Sequence, residues 1–212
     1  MNGVILTAGI SDRMGAAGEL VQAIPVTWWA ETGTAIRSPA LKQWLSELEK
    51  RKEGKQFWRS GEVLALGKDW ILKVLWPPVE GGKGRSEEDG MVFLLEHGLT
   101  RLLWAGSIPG EVEKELILRY GSELQAHVLV QGPAKGGPAN LTREWLEVVR
   151  PKQVVRWSRA LEEDPSLSVD FAEQAWIGGI ELLKLEETGC LTLKPEEGGK
   201  WKVERWRGGD RN

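Results

Sequence analysis

The sequence predicts an α/β protein in which helices sandwich β-sheets. The chain has 212 residues, of which 41% are hydrophobic and 28% charged, a composition ordinary for a soluble globular protein. Its apolar spacing changes between the helical period and the strand period, and two hairpins are followed by alternating strands and helices. Sheets covered by helices bury such a pattern. The length suits a single domain over residues 1–212, with a basic tail over 200–212.

The first predicted elements form a strand–loop–helix–strand unit. Residues 4–7 are a short apolar strand, 16–23 a helix, and 25–30 the next strand. The turn over residues 6–16 therefore lies at the carboxyl end of the first strand, the edge where α/β proteins place their sites. A second helix is predicted from Ser38, a good N-cap, and Pro39, with an apolar face over residues 41–48.

Two hairpins follow. Residues 62–67 and 70–76 alternate with period two around Lys68-Asp69, and residues 90–97 pair with 99–106 around His97-Gly98. Between the hairpins, residues 77–89 are a loop rich in proline, glycine and charge.

The rest of the chain alternates between predicted helices and strands. Helices are predicted over residues 109–121, with Gly121 as the C-terminal glycine, and over 141–150 and 168–176. Strands are predicted over 127–131 and 152–158, and a loop over 132–140. The closing strands are predicted over 179–187, 190–195 and 200–206.

Charge and residue counts exclude several classes of protein. The net charge of −3 does not give the basic footprint of a general nucleic-acid binder. The 12 Trp are therefore interpreted as core and layer-packing residues rather than as a platform for bases. Cys190 has no partner for an internal disulfide and is predicted to pack in an apolar strand. No apolar run is long enough to span a bilayer, and the N-terminus lacks the pattern of a signal peptide, so we expect a soluble chain.

Several segments together resemble one family. "GVILTAGISDRMGAAGELVQAIPVTWW" is similar to the segment of metallo-β-lactamase-fold proteins that carries the H-x-H-x-D-H motif. "SGEVLALGKDWILKVLWPP", "EEDGMVFLLEHGLTRLLWAGSIPGEVEKELI" and "HVLVQGPAKGG" resemble successive segments of the hydrolase-like domain of ComEC-type competence proteins, membrane channels that take up DNA. The resemblance covers residues 4–193. It implies a metallo-β-lactamase-like αββα sandwich, incomplete at its N-terminus because the family's opening strands have no counterpart.

The same resemblance implies that the metal site is lost. The family's ligand positions fall on Ala8, Ile10, Asp12, Arg13, Ser107, Pro133 and Ala134. A hydrolytic zinc needs about three protein ligands, and of these side chains only Asp12 is a usual one. We therefore expect no catalytic residue, no metal and no cofactor. His97 and His127, the two histidines of the chain, are predicted to be structural.

The resemblance further implies a role in DNA uptake. The expected function is that of a non-catalytic domain, structural or DNA-guiding, on the extracytoplasmic face of the inner membrane. Its partners would be the rest of the channel protein and, weakly, DNA, with no small-molecule substrate.

Two alternatives stay open. One is an active metal-dependent nuclease or phosphodiesterase whose replacement ligands come from Asp12, Asp89, His97 or His127. The other is an anion-binding or partner-docking module, in which Arg13 supplies the charge of the lost metal and Lys135 assists it.

Overall fold

The computed structural model describes residues 3–8, 23, 25–33, 39, 42, 45–46, 54–80, 90–134, 140–157, 178–196 and 198–206. The chain forms two compact units. The first comprises Met1–Glu62 and Val74–Val92, and the second comprises Val63–Lys73 and Phe93–Asn212. The assignment of the whole chain to one domain stays a prediction.

The first unit contains a parallel sheet of three strands, in the order β1 (Gly3–Ile5), β2 (Trp28–Glu31) and β3 (Gly54–Phe57). Val4 pairs with Trp29, and both are buried, as expected of strands in a covered sheet. The prediction of β1 and β2 is confirmed to within three residues. β3 was not predicted, because its sequence GKQF is polar and all four residues are exposed.

Two helices predicted in this region lie largely outside the described residues. Apart from Ala23, the predicted helix 16–23 lies outside the described residues. Most of the helix predicted from Ser38 also lies outside them, although Leu45, on its expected apolar face, is buried.

A mixed sheet of seven strands follows, in the order β10-β9-β8-β7-β6-β5-β4. Its strands are β4 (Val63–Leu66), β5 (Trp70–Trp76), β6 (Val92–His97), β7 (Thr100–Gly106), β8 (Val128–Gln131), β9 (Gln153–Arg156) and β10 (Glu181–Lys184). The two predicted hairpins are confirmed as the antiparallel pairs β4–β5 and β6–β7. From β7 to β10 the strands are parallel, so their carboxyl ends lie at one edge.

Helices connect the parallel strands. α1 (Gly110–Tyr120) ends at Gly121, whose φ of 48° suits the predicted C-terminal glycine. A short 3₁₀ helix (Gly121–Leu124) leads to β8. α2 (Arg143–Val149) begins at Thr142, whose side chain accepts a hydrogen bond from the backbone N–H of Trp145. Both helices were predicted, and both bury apolar residues, Leu116 and Trp145 among them.

A closing hairpin of β11 (Cys190–Glu196) and β12 (Lys200–Trp206) packs on the core of the second unit. Its inward side chains (Leu191, Leu193, Trp201 and Val203) lie against a cluster of Leu102, Val128, Val130, Val155 and Leu183. Two predictions for this region were wrong. Residues 185–187, predicted as the end of a strand, belong to the short helix α3 (Leu185–Thr188). Cys190 is exposed, because strand alternation that points Leu191 inward points Cys190 outward.

The tryptophans mostly serve as packing residues. Trp29 and Trp145 are fully buried, and Trp104 stacks between Phe93 and Trp157 with ring centroids 5.9 and 5.7 Å apart. Trp206 is the exception, with 62% of its surface exposed. The interpretation of tryptophan as core and layer packing is therefore confirmed for most of the described indoles.

Within the described residues, no helix has the length and apolar character required to cross a membrane.

Candidate functional site

The candidate site lies at the carboxyl edge of the parallel strands in the second unit. Ser107 follows β7, Gly132 follows β8, and Trp157 follows β9. The backbone N–H of Gly132 donates to the carbonyl oxygen of Gly106 at 2.6 Å, which holds the first two strand ends together. A side chain on Gly132 would collide with the indole of Trp157, because a Cβ there would lie 2.2 Å from the ring. In α/β proteins, functional residues lie at the carboxyl ends of the parallel strands.

Glu113 is the central polar side chain at this edge. It projects from the first turn of α1 and is fully buried. Its Oε1 accepts hydrogen bonds from Gln131 Nε2 at 2.6 Å and from the backbone N–H of Leu141 at 2.7 Å. Its Oε2 accepts from the backbone N–H of Thr142 at 3.0 Å and from Thr142 Oγ1 at 2.8 Å. The carboxyl group therefore joins α1, β8 and the start of α2.

Burial raises the pKa of the Glu113 carboxyl above its ordinary value of 4.5. The hydrogen bonds from Thr142, Leu141 and Gln131 act in the opposite direction, because each favours the charged form, but burial is the larger effect. Glu113 accepts in all four bonds, so the network is satisfied without a proton on the carboxyl group.

Two buried amide side chains lie at this edge, one bonded to Glu113 and one bonded to the neighbouring loops. Gln131 uses its Oε1 to accept from Trp145 Nε1 at 2.9 Å. Asn140 donates from Nδ2 to the carbonyl oxygens of Ile108 at 3.1 Å and Gly132 at 2.8 Å, which ties the loop after β7 to the loop after β8. All these groups are buried, so the loss of any partner would leave a polar atom unpaired.

Arg156 closes the network at the end of β9. It is 2% exposed, and its Nη1 donates to Asn140 Oδ1 at 3.3 Å. A buried guanidinium needs acceptors on several sides, because desolvating its charge is expensive. The arrangement of Glu113, Gln131, Asn140 and Arg156 is called the carboxyl-edge network below.

The two histidines lie at the opposite edge of these strands. His97 ends β6 and stacks on Trp70 with ring centroids 4.7 Å apart. His127 directly precedes β8, and its Nδ1 accepts from the backbone N–H of Arg101 at 3.1 Å. Burial lowers the pKa of His127 below its ordinary value of 6.5, and the charge of Lys152 lowers it further. Neither imidazole is available to the carboxyl-edge network.

The residues predicted as vestigial ligand positions are partly described. Ser107 is buried at the end of β7, and Pro133 and Ala134 are half-buried after β8, so this edge brings three of those positions to neighbouring strand ends. Ala8 is buried in the first unit, three residues after β1. Ile10, Asp12 and Arg13, with Lys135 of the predicted anion site, lie outside the described residues. Their roles stay predictions.

The described positions do not fit a hydrolytic zinc. Zinc is bound by thiolate, imidazole or carboxylate. Ala8, Pro133 and Ala134 offer no side-chain lone pair, and Ser107 offers only a neutral hydroxyl. In the described part of the chain, no group of three or more His, Cys, Asp or Glu side chains could hold a metal ion.

Sequence reasoning missed the carboxyl-edge network. A signal was present, because Gln131 and Arg156 are polar residues that end otherwise apolar strands at the edge where sites lie. Glu113 and Asn140 gave no such signal. Each stands among ordinary surface residue types, and only the tertiary contacts bury them.

Comparison with solved structures identifies the fold. The chain is similar to CmlA, a diiron β-hydroxylase from Streptomyces venezuelae, with a TM-score of 0.56 and 15% identity, over 97% of this chain and 45% of CmlA. A mutant of the same hydroxylase gives a TM-score of 0.56 at 14% identity, over 87% of this chain and 43% of the other. The chain thus spans less than half the length of these neighbours.

The chain has a metallo-β-lactamase-like α/β fold. The fold predicted from the resemblance is thereby confirmed, while its N-terminal incompleteness stays a prediction. A weaker likeness, with a TM-score of 0.48 at 14% identity, is to Zn²⁺-bound PqqB from Methylobacterium extorquens, over 86% of this chain and 70% of PqqB. No protein-family model and no curated protein sequence matches the chain.

Proposed function

We propose that this chain is a non-catalytic metallo-β-lactamase-like module of a ComEC-type DNA-uptake protein, with a structural or DNA-guiding role. The observation that carries the proposal is chemical. Where the resemblance places ligands at the strand ends of the second unit, the chain has Ser107, Pro133 and Ala134, and the buried polar groups beside them bond to one another.

The network supports a structural role for this edge. Asn140 and Glu113 tie the loops after β7 and β8 to the start of α2 through internal hydrogen bonds. An active hydrolytic centre instead keeps an open position where water or substrate reaches the metal. Buried polar side chains that are fully hydrogen-bonded within the protein favour a rigid structural role for this sheet edge over a reactive one.

The resemblance supplies the biological context of the proposal. It covers residues 4–193, and the hairpins and the strand–helix alternation on which it depends occur in the structure. Placement on the extracytoplasmic face, docking on the rest of the channel and weak contact with DNA belong to the same proposal.

The test is metal analysis joined to a nuclease assay on protein purified without chelators. We expect substoichiometric zinc, manganese and iron, and no cleavage of single- or double-stranded DNA when these metals are added. Stoichiometric metal, together with cleavage that EDTA abolishes, would replace the proposal with the active nuclease. His97 and His127 are weak candidates for its ligands, since they are engaged elsewhere, and Asp12 and Asp89 lie outside the described residues.

A titration with labelled single-stranded DNA tests the DNA-guiding role. Basic side chains that contact DNA phosphates release counterions. The affinity of such binding must therefore fall as the salt concentration rises. With a net charge of −3, we expect weak binding that disappears at high salt. The absence of binding at low salt would reduce the proposal to its structural form.

A further inference from the structure

β4 forms one edge of the seven-stranded sheet, and its sequence is unusual for an edge strand. It reads Val-Leu-Ala-Leu, with no charge and no proline. Proteins normally protect a free edge with charged residues, proline or a bulge, because its unpaired backbone groups can pair with another chain. The other edge of the sheet, β10, has Glu181 and Lys184 at its ends, and the edge strand β3 of the first unit carries Lys55.

The backbone of β4 presents hydrogen-bonding groups outward. The N–H of Val74 donates to the carbonyl of Glu62 at 2.9 Å. Because bonded and non-bonded pairs alternate along an antiparallel ladder, Leu64 and Leu66 direct their backbone groups toward β5. Val63 and Ala65 direct theirs away from β5. Among the strands that the structure describes, none pairs with this outer side.

The side chains at this edge are apolar and accessible. Val63 has 62% of its surface exposed, and Ala65 is also exposed. Ile71, which pairs with Ala65 across the hairpin, is 41% exposed. A partner strand would cover this apolar surface while it bonds to the backbone.

The sequence around β4 is complementary to itself. In an antiparallel pairing centred on Ala65, Leu64 of one copy lies opposite Leu66 of the other, and Glu62, directly before β4, comes near the turn after β4 of the other copy, which carries Lys68. Glu62 and Lys68 are both exposed. Two-fold symmetry creates each contact twice, so four leucines would be flanked by two pairs of opposite charge.

We propose that the outer edge of β4 is an interface with a second copy of this chain, paired antiparallel about Ala65. The occupant is a second copy rather than another protein because register, apolar contacts and charges all match when the strand meets itself. Each edge contributes few residues, so the interface is smaller than that of a permanent dimer and the association is weak and reversible. This inference does not depend on the proposed function.

Sedimentation analysis of the full 212-residue chain tests the interface, at protein concentrations from about 10 μM to about 1 mM, where small interfaces associate. We expect a reversible monomer–dimer equilibrium. Ala65→Pro removes an outward N–H that pairs with no strand in the described part of the chain, so it should abolish the dimer while the circular dichroism spectrum is retained. Ala65→Ser keeps the N–H and is the matched control.

Charge reversal gives a second, independent test. Glu62→Lys and Lys68→Glu each bring like charges close to one another at the two ends of the paired strands, and each variant alone should dimerise at least about tenfold more weakly. In an equimolar mixture, the lysines of one variant meet the glutamates of the other, so a heterodimer should form. A monomeric wild-type chain at the highest concentration, undiminished association of Ala65→Pro, or a mixture no more associated than its components would overturn the proposal.

Discussion

The two ends of the parallel strands β7 to β9 hold different kinds of polar group. At the carboxyl edge, Glu113 and Arg156 are buried, Glu113 bonds to Gln131 and to the backbone of Leu141, and Arg156 bonds to Asn140. At the amino edge, His127 is half-buried and accepts one hydrogen bond from the backbone of Arg101. The comparison shows that an acid and a base can both be present in a metallo-β-lactamase-like fold and still lie at opposite ends of its parallel strands.

The two ends also respond to pH in opposite directions. The pKa of Glu113 is raised by burial, so the folded chain binds more protons than the unfolded chain above pH 4.5, and this group lowers stability as pH rises. The pKa of His127 is lowered by burial, so the unfolded chain binds more protons below pH 6.5. Stability from His127 is therefore lost as pH falls.

The largest effect is expected from removing the acid at the carboxyl edge. Glu113→Ala leaves the backbone N–H groups of Leu141 and Thr142 and the amide of Gln131 without their acceptor, in a buried site. We expect a loss of about 3–5 kcal/mol in the free energy of unfolding, measured by urea denaturation.

Glu115→Ala is the matched control on the same helix. Glu115 is partly exposed and pairs with Arg119 one turn away, so its loss should cost at most about 0.5 kcal/mol. Equal destabilisation by the two substitutions would show that the network around Glu113 does not stabilise the fold.

A smaller effect is expected at Asn140, which joins the loops after β7 and β8. Asn140→Ala leaves the carbonyl oxygens of Ile108 and Gly132 unpaired and removes an acceptor from Arg156. We expect a loss of about 2–3 kcal/mol, measured by thermal and urea denaturation. Gln153→Ala, which removes an exposed hydrogen bond to Glu181, should change stability by less than about 0.5 kcal/mol. If Asn140→Ala leaves the free energy of unfolding unchanged, the two loops are held by other contacts.

The smallest effect is expected at the amino edge. Because the pKa of His127 is lowered, its contribution to stability is complete above pH 6.5 and declines as pH falls below that value. In His127→Gln, the free energy of unfolding should therefore decline less than in the wild type as pH falls from about 7.5 to about 5.5. Identical slopes for wild type and His127→Gln would contradict the assignment.

Much of the fold could be predicted from local sequence patterns. The hairpins around Lys68-Asp69 and His97-Gly98 follow from period-two alternation, and α1 follows from its helical spacing and Gly121. β3 was missed because a polar edge strand has no buried face to create a pattern. Helix α3 was missed because four residues are too few to show a helical period.

The candidate site could be predicted only in part. Resemblance placed Ser107, Pro133 and Ala134 at positions that the structure brings to neighbouring strand ends. The carboxyl-edge network was not predicted, because Glu113 is separated from Gln131 by 18 residues and from Leu141 by 28. Nothing local distinguishes Glu113 from its neighbours Glu111, which is exposed, and Glu115, which is partly exposed.

The sequence by itself determined the strands and helices whose apolar residues repeat at a regular period, since that period records which side of an element is buried. It also determined that Ala8, Pro133 and Ala134 have no side-chain donor for a metal. Only the tertiary structure decided that Glu113 and Arg156 are buried and bonded, that the histidines lie at the other end of the strands, and that no described strand pairs with the outer side of β4. These features depend on which distant segments meet, and chain folding sets those contacts through the burial of apolar surface from many elements at once.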